Sequence, residues 1–250
     1  SIVNASVPAG DPVTSDELLR KMILHRRAPR LSIVEVSPEV LTPRDPYLNA
    51  AVIRFFTWPD VIRAGPDLVP SRSLNIAVGS RVVPFYSHRQ HLWTWLSRVW
   101  GLDPTEHDQA PPGGLDLRMY QRPPQPADDA APANTFEGVR FFRRRVVDYR
   151  IGGTPSDALD RFVERCRTAG VTVVMVAVPA TSFFRQIYTP DVERAFLAHM
   201  ERIAQLPHVR FVDYRGRLEN RLFSDVYHLT PEGGDVFADM LAREVVAPLW

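Results

Sequence analysis

The feature that most constrains the fold is the run from Val171 to Val178, VTVVMVAV, in which seven of eight residues are apolar. A strand with one face in water alternates apolar and polar residues, whereas a strand buried on both faces of a parallel sheet is apolar almost throughout. The run therefore predicts a central parallel strand. A parallel sheet in turn requires crossover connections, usually helices, that cover both of its faces.

The flanking segments alternate in the way that such a sheet requires. Apolar residues at helical spacing predict helices from about Ser156, Thr189 and Pro231, and Val209 to Val212 is predicted as another strand. Gly170 is expected to end the first of these helices. The positions expected to face the core are Leu159, Phe162, Val163 and Cys166 in the first helix, Val192, Phe196, Met200 and Ile203 in the second, and Val236, Phe237, Met240 and Leu241 in the third.

The same alternation occurs near the beginning of the chain. A helix is predicted from about Ser15, and the β-branched run from Leu31 to Ser37 predicts a further buried strand. Ser1 to Ser6 is typical of the last half of a buried strand, with no element before it. We therefore predict an α/β fold in which a doubly wound, mainly parallel sheet is flanked by helices.

The middle of the chain interrupts this pattern. Pro84 to Trp100 is rich in aromatic residues and arginine; we interpret it as packed core, with a lid over the site or a membrane-surface helix as alternatives. Gly101 to Asn134 is rich in proline, alanine, aspartate and glycine, which predicts a long loop without sheet strands. Residues 84–150 are thus interpreted as an insertion within a single domain of residues 1–250. The basic run that closes it, Phe141 to Arg145, is interpreted as a solvated face.

Composition excludes several classes of function. The net charge of +1 gives no general attraction to nucleic acid, and no apolar run is long enough to span a bilayer. Cys166 is the only cysteine, so a disulfide framework and a cysteine-based zinc site are excluded. His88 and His91 have a spacing suited to metal ligands on one helical face, but no third ligand is apparent. Neither a metal nor a cofactor is expected.

Asp225 and His228 are the residues expected to carry chemistry. They precede Thr230 and Pro231, which are typical of a helix N-cap and first turn. At this separation the carboxylate can accept a hydrogen bond from Nδ1–H, which fixes the tautomer in which Nε2 takes a proton from a nucleophile. Ligands of open parallel sheets bind beyond the carboxyl ends of the strands, where Gly10 would offer a backbone N–H to an oxyanion. The alternative is a chance pair in a surface turn.

Two blocks of the sequence resemble the SGNH (GDSL-type) hydrolase superfamily. Asn4 to Gly10, NASVPAG, looks like the block in which a glycine supplies an oxyanion-hole N–H, and Asp225-Val226-Tyr227-His228 looks like the final Asp-x-x-His block. The continuation to Gly233, LTPEG, is especially similar to the bacterial extracytoplasmic branch, which includes DltD-like and alginate O-acetylation proteins. The resemblance covers about residues 1–40 and 150–250.

The resemblance implies an esterase or O-acyltransferase that acts on an acylated carbohydrate or cell-envelope polymer through a Ser-His-Asp mechanism. His228 would be the general base, Asp225 its orienting carboxylate and Gly10 an oxyanion donor. An extracytoplasmic location, periplasmic or membrane-associated, and a membrane-associated acyltransferase as partner follow from the resemblance as well. Small esters are expected as substrates, and nucleic acid is not expected as a partner. The alternative function is a non-catalytic SGNH-like module that binds a glycan or scaffolds an envelope complex.

The sequence departs from the family at the nucleophile. The family's serine lies in a Gly-Asp-Ser or Gly-Ser-Ser block on a strand before the glycine block, and nothing precedes Ser1 here. The third block, Gly-x-Asn-Asp, is absent too, because the corresponding strand ends in EVSP at residues 35–38. Either the nucleophile lies on a strand missing from this chain, which then shows little or no esterase turnover, or the protein is catalytically dead. Ser80, in the strand–Gly–Ser pattern IAVGS, Ser6 and Ser1 are weaker candidates within the chain.

Overall fold

The computed structural model describes residues 11–25, 28–43, 56–68, 73–82, 95–96, 99–100 and 135–249. Several sequence predictions lie outside the described residues: the opening strand of residues 1–6, Gly10, the histidine pair His88 and His91, and the loop of residues 101–134. In chain order, the elements are α1 (Pro12–Leu24), β1 (Leu31–Glu35), a 3₁₀ turn (Pro38–Val40), α2 (Trp58–Arg63), α3 (Gly65–Leu68), α4 (Ser73–Val82), α5 (Thr135–Val146), α6 (Gly153–Thr168), β2 (Thr172–Ala177), α7 (Ser182–Arg185), α8 (Pro190–Ala204), β3 (Val209–Asp213), a second 3₁₀ turn (Asn220–Leu222), α9 (Pro231–Leu241), a π-helical turn (Ala242–Val246) and α10 (Ala247–Leu249).

The chain divides into two compact units. The first comprises Ser1–Glu17 and Pro46–Gln121, and the second comprises Leu18–Asp45 and Arg122–Trp250. The sheet belongs to the second unit. Residues 84–150, interpreted as one insertion, are shared between the two, since α5 groups with the sheet.

The described part of the first unit contains the helices α2, α3 and α4. The N–H and the hydroxyl of Thr57 both donate to the carboxylate of Asp60 at 2.7 Å and so fix the start of α2. The nucleophile-turn interpretation of residues 76–80 is wrong, because they lie inside the helix α4. Ala77 is fully buried while Val78 is partly exposed, as in a helix with one buried face; a short apolar run does not distinguish this from a strand.

The second unit is a mixed α/β structure built on an open sheet of three parallel strands in the order β1-β2-β3. Its strands pair in register, with Val34 opposite Met175 and Met175 opposite Phe211. Five consecutive residues of β2, from Val173 to Ala177, are buried. The prediction of a central parallel strand is therefore confirmed.

One face of the sheet packs against α6 and α8. Val173 and Met175 of β2 belong to this core, together with Leu19 of α1. All the predicted core positions of the two helices are buried: Leu159, Phe162, Val163 and Cys166 in α6, and Val192, Phe196, Met200 and Ile203 in α8. Gly170 takes a positive φ of 68° just after α6, as expected for a residue that ends a helix.

The other face packs against the C-terminal helices. Val174 and Val176 form a core with the fully buried Tyr214 and Val245, and Phe237, Met240 and Leu241 of α9 pack against it. The prediction for Val236 is wrong, because this side chain is 38% exposed. Positions 237, 240 and 241 form the i, i+3, i+4 stripe that meets the sheet, and position 236 lies beside the stripe.

This arrangement determines the edge of the sheet at which the loops after the strands lie. The helices α6 and α8 lie in the connections between successive parallel strands, and both cover the same face of the sheet. This is expected, because right-handed crossovers between strands added in one direction all pass over the same face. α9 follows β3 and covers the opposite face. The loops that leave β2 and β3 consequently emerge together at the carboxyl edge of the sheet. None of the described helices is both long and apolar enough to cross a membrane.

We predict that the same side-chain truncation has very different effects at two valines. Val174→Ala removes two methyl groups from a fully buried side chain of β2 and should lower the free energy of unfolding by about 2–3 kcal/mol, through lost burial and a residual cavity. Val236→Ala, on the exposed side of α9, should change it by less than about 0.5 kcal/mol. Denaturant unfolding followed by circular dichroism measures both; equal losses would contradict the packing described for α9.

Candidate active site

Asp225 and His228 are in direct contact. Nδ1 of His228 lies 2.6 Å from Oδ2 of Asp225. The other carboxylate oxygen, Oδ1, accepts the backbone N–H groups of Tyr227 and His228 at 2.9 and 2.8 Å. The carboxylate is thus anchored by its own turn while it contacts the ring. The contact predicted from the spacing of the two residues is present.

The turn that carries this pair is closed by backbone hydrogen bonds. Phe223 and Leu229 form an antiparallel bridge, and the N–H of Ser224 donates to the carbonyl of His228 at 2.7 Å. The hydroxyl of Ser224 donates to the same carbonyl at 3.1 Å. The serine nearest to the pair in sequence therefore has a structural contact with the backbone of the turn.

The start of α9 holds the end of the turn, as predicted. The hydroxyl of Thr230 accepts the N–H of Gly233 at 3.1 Å, and Pro231 occupies the first turn. The N–H of Thr230 donates to the carbonyl of Leu222 at 2.9 Å. Gly233 packs so closely on that carbonyl that a Cβ at this position would stand 2.2 Å from its oxygen. A glycine is required here because of the close approach of the 3₁₀ turn to the helix.

The loop that leaves β2 fixes the position of the turn at the carboxyl edge. The hydroxyl and the N–H of Thr181 both donate to the carbonyl of Val226, at 2.7 and 3.2 Å. The side chain of Asn220 bonds to Ser182 twice, accepting its N–H and donating to its hydroxyl, each at 2.9 Å. Asp225 and His228 therefore lie at the edge where ligands of parallel sheets bind.

The ionisation of Asp225 determines the tautomer of His228. Desolvation raises the pKa of Asp225, but the hydrogen bonds from the His228 ring and from the two backbone N–H groups together lower it below its usual value. An ionised carboxylate only accepts hydrogen bonds, so Nδ1 of His228 carries the proton. The side chains of the pair keep 29% and 37% of their surface exposed, so solvent and solutes can reach them.

The imidazole rests on an aromatic cluster that sequence reasoning missed. The ring centroids of Tyr227 and His228 are 4.1 Å apart. Tyr227 packs against Phe142 of α5 and Phe184 of α7, with ring centroids 5.2 and 5.7 Å apart. The interpretation of the basic run in α5 as a solvated face is wrong in part: Phe142 and Arg145 are buried, while the two arginines between them are exposed. The three-residue spacing of Phe142 and Arg145 is the signal that indicates one helical face.

Two glutamates lie at the same edge: Glu35 is the last residue of β1, and Glu39 is in the 3₁₀ turn that follows. Glu39 is buried and accepts the hydroxyl of Tyr188 at 2.6 Å; burial, then the charge and the hydrogen bond of Glu39, raise the pKa of Tyr188 far above its usual value. Glu35 retains exposed surface, yet desolvation and the charge of Glu39 raise the pKa of its carboxyl, and the charge of His228 lowers it. Glu35 thus lies close enough to His228 for their charges to interact. Sequence reasoning missed both glutamates.

The arrangement can orient and charge-stabilise a general base. Asp225 holds the Nδ1–H tautomer and would stabilise the imidazolium that forms when His228 accepts a proton. Within the described ranges, no group of three or more histidine, cysteine, aspartate or glutamate residues could hold a metal ion. Acid–base chemistry by side chains is what this geometry offers.

Comparison of the chain with protein-family models, with curated proteins and with solved structures found no match.

We predict that two adjacent glycines respond oppositely to the same substitution. Gly233→Ala would force a Cβ into the carbonyl of Leu222 and should destabilise the protein by about 3 kcal/mol or more. Gly234→Ala meets no atom within 4 Å and should stabilise it by about 0.5–1 kcal/mol, because alanine favours the helix. Thermal unfolding of the two variants measures both effects, and tolerance of alanine at position 233 would refute the close approach.

A second prediction concerns the stability of the protein at acidic pH. The folded-state pKa of Asp225 lies below its unfolded value, so its contribution to stability is present above the unfolded pKa, near 3.8, and is lost as pH falls through the folded one. The unfolding free energy of the wild type should therefore fall more steeply below about pH 4 than that of Asp225→Asn. Urea titrations at several pH values measure the two slopes; parallel slopes would contradict the assigned ionisation.

Proposed function

We propose that Asp225 and His228 are the acid–base pair of an SGNH-like esterase or O-acyltransferase that acts on an acylated carbohydrate or cell-envelope polymer. The observation that carries the proposal is the 2.6 Å contact between Nδ1 of His228 and a carboxylate that two backbone N–H groups already anchor. A base held by an orienting carboxylate, at the carboxyl edge of a parallel sheet, is the arrangement that serine acyl transfer requires.

The reaction follows from these roles. Nε2 of His228 takes the proton of a serine hydroxyl as its oxygen bonds to the acyl carbon, and Asp225 stabilises the imidazolium. The imidazolium returns the proton to the departing alcohol, which leaves an acyl-serine. His228 then takes a proton from water or from a sugar hydroxyl, whose oxygen bonds to the acyl carbon, and the serine leaves with that proton. The motif resemblance gives the remaining role, an N–H donor to the oxyanion of each tetrahedral intermediate, to Gly10.

The sheet supports the finer fold assignment within this proposal. Its three strands are parallel and in sequential order, with α6 and α8 on one face and α9 on the other. A doubly wound SGNH-like sheet would extend beyond β1, and the serine would lie on a strand encoded before Ser1. The extracytoplasmic location and the membrane-associated acyltransferase partner remain parts of the proposal that rest on the motif resemblance.

We predict that activity depends on the upstream segment and on His228. A longer chain that includes the residues encoded before Ser1 should hydrolyse small acyl esters. The 250-residue chain should show little turnover, because the serine that we propose as the nucleophile lies outside it. In the longer chain, His228→Ala should lower kcat/KM by at least about a thousandfold. Release of the alcohol from a chromogenic acetyl ester measures both.

The control is His199→Ala, which removes another partly buried histidine, on α8, that contacts Arg202. This variant should keep full activity. A longer chain that folds but is inactive would instead support the non-catalytic module. Full activity of the 250-residue chain would place the nucleophile inside it, and Ser6→Ala would then be compared with the wild type.

A further inference from the structure

The hydrogen bond between Thr181 and Val226 affects the geometry of the pair formed by Asp225 and His228. Thr181 follows β2, is only 1% exposed, and donates its hydroxyl to the carbonyl of Val226 at 2.7 Å. The same hydroxyl accepts the N–H of Phe184 at 3.1 Å and so caps α7. Its orientation is thus fixed from both sides. We infer that Thr181 is a positioning residue that aims the Asp225 carboxylate at His228, an inference that rests on the proposed function for its catalytic meaning.

The link runs through a single peptide group. The carbonyl of Val226 and the N–H of Tyr227 belong to the same planar peptide unit and point in opposite directions. Thr181 holds the carbonyl, and the N–H donates to Oδ1 of Asp225 at 2.9 Å. Rotation of this peptide unit would therefore break both hydrogen bonds together. Fixing the carbonyl fixes the donor that anchors the carboxylate.

The anchored carboxylate of Asp225 in turn orients the ring of His228. Oδ1 of Asp225 is held by the N–H groups of Tyr227 and His228, which leaves Oδ2 directed at Nδ1 of His228 at 2.6 Å. Hydrogen bonds in such a chain polarise one another, so loss of the first donor weakens those that follow. The backbone N–H of Thr181 also reaches the carbonyl, at 3.2 Å, so removal of the hydroxyl should loosen the peptide unit rather than release it.

The chain offers a matched control for Thr181. Thr189 is the N-cap of α8, and its hydroxyl accepts the N–H of Val192 at 3.4 Å. Thr181→Val and Thr189→Val each remove one capping hydroxyl at nearly constant volume, but only the first removes a hydrogen bond to the turn that carries Asp225. Thr181→Ser retains the hydroxyl and should rescue the effect.

The experiment measures Asp225 and His228 directly in the 250-residue chain. Carboxyl-carbon NMR gives the pKa of Asp225, and the proton spectrum reports whether the His228 Nδ1–H resonance is protected from exchange. In Thr181→Val the pKa of Asp225 should rise toward its ordinary value and the Nδ1–H resonance should broaden or vanish. Thr189→Val and Thr181→Ser should leave both signals as in the wild type. Unchanged signals in folded Thr181→Val, or equal changes in Thr189→Val, would overturn the inference.

A second variant and a kinetic readout complete the test. If Thr181→Val fails to fold, Thr181→Ala removes the same hydroxyl without a methyl group in its place and is judged by the same two signals. In the longer chain, Thr181→Val should lower kcat by between about 10- and 100-fold with KM within about twofold, because orientation and not binding is lost. An inactive longer chain would defeat the proposed function, while the NMR signals would still decide the role of Thr181.

Discussion

The sheet depends on the burial of both faces of β2. Its apolar side chains leave no face in water, so its backbone N–H and C=O groups must find partners in neighbouring strands, because an unpaired polar group costs free energy when it is buried. β1 and β3 supply them in parallel register. Parallel pairing then requires crossovers, and α6 and α8 fill that role with the residues that cover one face of β2.

The site is a consequence of that geometry. Parallel strands deliver successive loops to one edge, and the loops after β2 and β3 are joined there by Thr181, Val226, Ser182 and Asn220. Asp225 and His228 lie on a short turn whose two ends are fixed by the bridge at Phe223 and by the helix start at Thr230. The position of the pair is therefore fixed by hydrogen bonds that hold its turn rather than by deep burial.

The sequence predicts best where one local rule acts. The apolar run of β2, the inward faces of α6 and α8, the positive φ at Gly170 and the cap at Thr230 were all predictable, since each follows from periodicity or from the steric needs of one residue. The helix at residues 73–82 was not, because a short apolar run fits strand and helix alike. The neighbours of His228 were missed for another reason: Phe142 and Phe184 meet Tyr227 only through tertiary packing, and spacing along the chain carries no signal of it.

The central claim, that His228 and Asp225 activate a serine hydroxyl, is tested most directly by covalent labelling. A fluorophosphonate phosphonylates a serine only when a base makes its oxygen nucleophilic. We expect the longer chain to be labelled stoichiometrically at one serine encoded before Ser1, identified by peptide mass spectrometry. His228→Ala should abolish this labelling, whereas His199→Ala should not. Absence of labelling in the folded longer chain, or labelling that survives His228→Ala, would show that His228 does not activate a serine.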